Sequence, residues 1–180
     1  MTPDPVIGAL ENALAQNPGI RTIRFHDMPG VRGRVGQMLA LPLLIRKLRL
    51  NTEVVGFCAS GCAIAFVGGV NRRTLASPSG LSFVAFHGMY HLDGRPDPTV
   101  FRPYMSTLQR FVPGLPQNLL KTAYFGAQDG ALVFFDPRLY RGTRSAVVLC
   151  GQGAAAPSRD PIACKPVKTA DGRSIGLFTP

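Results

Sequence analysis

The sequence predicts a single α/β domain, residues 1–180, with a largely parallel sheet. Helical stripes and β-branched runs alternate along the first half in the order helix, strand, helix, strand, helix. The strand-like runs are short, apolar and bounded by Gly, Pro and Asn. The chain is 46% apolar and 17% charged over 180 residues, enough to bury a sizeable core and too apolar for disorder.

Pro5 to Gln16 places Val6, Leu10 and Leu14 on one helical stripe, which Asn17-Pro18-Gly19 ends. Ile20 to Phe25 alternates as a first strand, and His26 to Gly33 reads as a turn. Val35 to Leu50 presents a broad apolar face of Met38, Leu39, Leu41, Leu44, Ile45 and Leu48. Pro42 within it predicts a kink or a late start. The basic last turn of that helix, Arg46-Lys47, suits the negative end of a helix dipole. Glu53 to Phe57 is a buried strand, and Ala63 to Val67 is short and apolar enough for a buried helix. Right-handed crossovers are expected between the parallel strands.

Arg73 to Ala76 and Ser82 to His87 predict two strands joined by Ser77-Pro78-Ser79-Gly80. After a loop from His91 to Pro98, Thr99 to Phe111 and Pro116 to Phe125 read as helices separated by Val112-Pro113-Gly114. Ala131 to Phe135 is an apolar run, Ser145 to Cys150 a strand, and Ala170 to Thr179 a closing segment. With 20 glycines and 16 prolines, the chain should be rich in turns and its helices short or kinked.

The chemistry concentrates between the second strand and His87. Cys58-Ala59-Ser60-Gly61-Cys62 is a run of small and thiol residues at a strand-to-helix turn. A tight turn there lifts a serine hydroxyl out of the sheet, and free amides at the start of the helix face whatever it attacks. His87 closes an apolar strand 27 residues later, where a base for that serine would be needed. Each residue also has a plain structural reading. Ser60 suits a helix N-cap, and His87 suits a hydrogen-bonded residue at a strand end.

The same stretch resembles the crotonase-like superfamily and, within it, the Clp protease proteolytic subunit and its secreted or periplasmic Clp-like relatives. The resemblance rests on Ser60 in its small-residue turn, on Phe86-His87 downstream, and on Cys58 and Cys62 flanking the serine. It covers about Ile20 to Tyr90. It implies a ββα-repeat fold and a serine peptidase in which Ser60 attacks and His87 moves the proton. In such proteins a hairpin delivers the histidine. The Gly61 amide would be one oxyanion donor. The family's Ser-Pro-Gly-Gly turn reads Met28-Pro29-Gly30-Val31 here, so the second donor would be the Val31 amide, which any non-proline residue supplies. Two acids could hold the imidazole. Asp129 lies near the place where the family's acid usually falls. Asp136 precedes Pro137 and so also has the signature of a helix N-cap. The tail from Ala170 to Thr179 resembles the family's closing helix-and-strand pattern. Self-association into a homo-oligomer is implied by the resemblance as well.

A net charge of +10 is spread over single and paired basic residues, with no run of five and no nucleic-acid signature. A solvated basic surface is the first reading, and a polyanionic partner is the second. No stretch reaches 18 consecutive apolar residues, so no membrane span is expected. The N-terminus, Met-Thr-Pro-Asp-Pro, lacks the basic and apolar regions of a signal peptide.

The cysteines fall into two local pairs, Cys58 with Cys62 and Cys150 with Cys164. In an oxidising compartment these read as two disulfides, and in the cytosol as metal or redox residues. The second would close a Gly/Ala/Pro-rich loop of about 15 residues and stabilise the fold by roughly 3 kcal/mol. Cys58, Cys62, His87 and His91 form a rival zinc set. The long apolar interval between its halves argues against a finger module. No cofactor is expected. The reading is therefore a periplasmic or secreted serine hydrolase acting on a peptide or acyl substrate. Against it stands a non-catalytic Clp-like binding domain of the same fold.

Overall fold

The computed structural model describes residues 5–30, 35–78, 80–91, 95–125, 130–140, 145–150, 164–168 and 171–180. Among them α1 (Pro5–Gln16), β1 (Thr22–Met28), α2 (Val35–Lys47), β2 (Asn51–Ala59) and α3 (Gly61–Val67) follow the predicted alternation. They are followed by β3 (Arg72–Leu75), β4 (Phe83–Phe86), α4 (Pro98–Phe111), α5 (Gln117–Phe125), β5 (Ala131–Phe135), β6 (Val147–Cys150) and β7 (Cys164–Pro166). Helix α2 begins at Val35 and runs through Pro42, so the late start is not taken.

One mixed sheet holds all these strands, in the order β1-β2-β4-β5-β6-β7 with β3 also on β2. The parallel character belongs to the half that carries Ser60 and His87. Strands β1, β3 and β4 each pair with β2 in parallel, whereas β5, β6 and β7 extend the sheet by antiparallel pairs.

The hairpin expected between β3 and β4 is not formed. Both strands lie along the same edge of β2, β3 opposite Thr52 to Val55 and β4 opposite Phe57 to Ala59. Between them an isolated bridge joins Ser77 and Gly80. Ser82 repairs the break. Its hydroxyl accepts from the Gly56 amide at 2.9 Å and donates to the Leu75 carbonyl at 2.5 Å, so these two backbone groups at the break are satisfied.

Alternate residues of the sheet divide the core. Val54, Val84, Phe86, Leu132 and Phe134 face α2, α3, α4 and α5. Phe83, Val133, Phe135 and Val148 form a smaller cluster on the other face. All seven residues of α3 are buried, and its Ile64, Phe66 and Val67 each contribute about 1.5–3 kcal/mol by leaving water.

The far end of α3 is closed by two arginines. Arg46 donates to the carbonyls of Val67, Gly68 and Gly69. Arg72 donates to those of Val67, Gly69, Gly176 and Leu177. Burial, aided by the nearby Arg46 charge, lowers the Arg72 guanidinium to about 10, still charged at neutral pH. The tail corrects the helix-and-strand expectation for Ala170 to Thr179. Residues 171–180 are a run of turns, with Asp171 accepting from the Arg173 and Ser174 amides and Thr179 bonded to Arg72. Its Leu177 and Phe178 are nonetheless fully in the core.

Close packing of α2 on α3 requires a glycine. A Cβ on Gly68 would stand 2.5 Å from the Pro42 carbonyl oxygen and 2.6 Å from its Cα, both backbone atoms. Gly68→Ala should therefore lower the unfolding free energy by about 2 kcal/mol in urea titrations. Gly8, inside α1 with nothing within 4 Å of its ideal Cβ, provides the contrast. Gly8→Ala should raise stability by about 0.5–1 kcal/mol.

Candidate active site

The site begins with a bulge. Between the pairs His26–Val55 and Met28–Cys58, the single residue Asp27 faces both Gly56 and Phe57. Gly56 takes φ 73°, and a Cβ there would run into the Asp27 carboxylate. Asp27 itself, at φ 46°, accepts a hydrogen bond from the Phe57 amide at 3.3 Å. A bulge bends a strand and re-aims the residues beyond it. Here those residues are Cys58, Ala59 and Ser60.

Ser60 turns the chain from β2 into α3 with φ 56° and ψ −126°, a conformation that a non-glycine residue adopts only under constraint. Its amide donates to the Ala85 carbonyl at 3.1 Å, which ties the turn to β4. Its side chain makes no cap hydrogen bond to α3, so the N-cap reading does not describe what the hydroxyl does. The half-buried hydroxyl has no hydrogen-bond partner among the described residues.

The Cys58–Cys62 disulfide spans the turn with Cα atoms 5.3 Å apart. The two cysteine sulfurs of the rival zinc set are thus bonded to each other. The second predicted disulfide, Cys150–Cys164, joins β6 to β7 across their register.

Gly30, just after β1, lies against the serine. Gly30 takes φ 150°, and a Cβ on it would stand 3.1 Å from Ser60 Cβ and 3.5 Å from Ser60 Oγ. Glycine at this place permits the approach. Val31, the second implied oxyanion donor, lies outside the described residues. Gly61, the first, opens α3, where first-turn amides have no partner within the helix.

His87 follows β4 directly and leaves the sheet at the same end at which Ser60 leaves β2. Ala59 pairs with Ala85, so Ser60 stands level with Phe86, and His87 is one residue further on. Its Nδ1 lies 2.5 Å from the Gly88 carbonyl oxygen. A carbonyl only accepts, so Nδ1 carries a proton in this contact, and in the neutral ring Nε2 is then the basic nitrogen. The ring stacks on Tyr90 at 5.9 Å with planes 16° apart. Ser60 and His87 are not hydrogen-bonded in this structure, and such contacts commonly close only when substrate is bound.

The two candidate acids part ways. Asp129 lies outside the described residues. Gly130, next in sequence, leads into β5 at the end that faces His87, because Leu132 pairs with Phe86. Asp136 leaves β5 at the other end, beyond the Phe135–Phe83 pair, roughly 16 Å from His87 along the strands. Its carboxylate is fully committed to the side chain and amide of Arg138, in the cap-like turn that its Asp-Pro sequence suggested. Asp136 is therefore a structural carboxylate and does not orient His87. The acceptor that sequence reasoning missed is the Gly88 carbonyl, which no residue type could signal.

No family model matches the chain, and the comparison with curated proteins found no match.

Burial acts to raise the Asp136 pKa, but hydrogen bonds and charge from Arg138 outweigh it, so the carboxyl sits below its ordinary value. A lowered folded-state pKa stabilises the protein above the unfolded carboxylate value, and that stabilisation is lost as pH falls through the folded one. Asp136→Asn should cost about 1–3 kcal/mol at pH 7, with the gap to wild type narrowing below about pH 4 in urea melts. At the turn, Gly30→Ala should crowd Ser60 and strain a positive φ. It should slow modification of that serine by a fluorophosphonate by about tenfold, measured as the labelling rate.

Proposed function

We propose that this chain is a serine hydrolase of the crotonase-like, Clp-like kind, acting on peptide bonds in an oxidising, extracytoplasmic space. The observation that carries the reading is Ser60. Its hydroxyl has no hydrogen-bond partner among the described residues, sits in a strained strand-to-helix turn, and leaves the sheet at the same end as a histidine whose Nδ1 donates to a carbonyl. Strain of this kind collects where a side chain must be presented rather than packed.

In the proposed mechanism Ser60 Oγ attacks the acyl carbon as His87 Nε2 takes its proton. The Gly61 and Val31 amides hold the oxyanion. The imidazolium returns the proton to the leaving amine, and a water activated by the same nitrogen then hydrolyses the acyl-enzyme. The Gly88 carbonyl keeps the ring oriented, the role a triad acid otherwise fills. Asp129 is the carboxylate reserved for that role in the sequence resemblance. Both disulfides support the compartment, since such bonds persist where the medium is oxidising. Among the described residues no helix is long and apolar enough to cross a membrane. Self-association belongs to the same reading.

The open contact between Ser60 and His87 favours a second reading, a Clp-like binding domain that has kept the fold without the chemistry. Active-serine labelling separates the two. A fluorophosphonate should form one adduct on Ser60, abolished in Ser60→Ala, slowed at least about a hundredfold in His87→Ala and retained in Asp136→Asn. Wild-type protein that is folded yet inert to the probe would leave the binding domain as the function.

A further inference from the structure

Some basic residues of this protein are held by carboxylates or carbonyls and others are not. Arg24 and Arg73 share Glu53, Arg138 holds Asp136, and Arg46 and Arg72 close α3. Between Pro98 and Phe125 the chain carries three cations, Arg102, Arg110 and Lys121, and no acid at all. All three are exposed, and among the described residues none is paired with a carboxylate.

They line one groove. Helices α4 and α5 meet through Phe101, Tyr104, Tyr124 and Phe125, with Phe101 4.9 Å from Tyr124 and 4.8 Å from Phe125. Beyond that contact they leave an open groove of about 780 Å³, within the size range of ligand sites. Phe101 and Met105 supply its apolar lining. Gln109, Gln117 and Asn118 add side-chain amides that can both donate and accept, which suits the main chain of an extended peptide. The rings at its end contact one another edge-on or tilted. From Phe101 to Arg110 the groove runs about 14 Å along α4, the length of about four extended residues.

The end at Phe101 borders the candidate site. Phe101 packs on Tyr124, and the Tyr124 carbonyl occupies the space that a side chain on Gly88 would need. Gly88 is the residue whose carbonyl holds His87.

We propose that the α4–α5 groove binds an acidic, extended stretch of polypeptide substrate and presents the adjoining bond to Ser60. Binding stands on the groove alone, and only the presentation rests on the hydrolase reading. The test therefore measures binding without turnover, in Ser60→Ala. A fluorescein-labelled Glu-Ala decapeptide should bind about tenfold tighter than its Gln-Ala and Lys-Ala counterparts, by anisotropy, and weaken as salt rises. Arg102→Gln/Arg110→Gln/Lys121→Gln should erase the preference at an unchanged melting temperature. Should the triple variant melt lower, the single Arg102→Gln and Lys121→Gln variants on opposite helices should each reduce the preference. Equal binding of the Glu and Gln peptides, or a preference that survives the substitutions, overturns the proposal. Tighter binding of an oligodeoxythymidylate of equal charge overturns it too, in favour of a polyphosphate site. Failure of wild-type Ser60 to react with a fluorophosphonate would instead count against the hydrolase reading and leave the groove result standing.

Discussion

The reversal at Ser60 organises the molecule around it. A residue with a side chain held at φ 56° and ψ −126° costs about 1–3 kcal/mol and persists only if its surroundings leave no cheaper path. The constraints here lie on both sides. Before the turn, β2 is hydrogen-bonded along both edges, to β1 on one and to β3 and β4 on the other. After it, α3 is buried on every side, and its final carbonyls are gripped by Arg46 and Arg72. The Cys58–Cys62 bond closes the span between them covalently. Neither strand nor helix can shift to relax the serine without breaking several of these contacts together.

Fixing the turn also fixes what surrounds it. The unequal register across Asp27 and Gly56 lets β2 reach Ser60 while β1 ends early enough for Gly30 to fold over it. Splitting the partner edge into β3 and β4, with Ser82 bridging the gap, sets the register that puts His87 one residue beyond Ser60. The Ser82 hydroxyl thus contributes to the site from a distance, by deciding which residue of the next strand arrives at the sheet edge. The antiparallel half of the sheet then covers β4, and Gly88 receives the end of α5 so closely that no side chain fits there.

The charge of the protein follows the same division between framework and surface. Glu53, 4% exposed, is held by Arg24 and Arg73 on the strands to either side, a lateral ladder across the parallel half of the sheet. Arg72, 6% exposed, serves the interior rather than solvent. A net charge of +10 read from composition as a solvated surface is in part internal wiring. Local sequence offers no sign of this, because Arg72 and Arg73 are adjacent and of one type. Strand alternation sends one inward and the other outward.

Local patterns were enough to announce the helical stripes, the strand-turn-helix around Ser60, both cysteine pairs and the Asp136 cap. Each depends on residues close together in the chain, so periodicity and turn chemistry report them directly. Pairings between distant segments were not legible. The sequence predicted a hairpin where β3 and β4 both join β2, and a helix and strand in a tail that is built of turns around Arg72. It offered Asp136 as an acid, although β5 carries that residue to the opposite end of the sheet from His87. The sequence alone determined which residues are chemically able to form the site and the local turn that presents the serine. Tertiary structure decided which of them meet, because register and strand direction are set by cooperative packing of the whole sheet and not by any short stretch of chain.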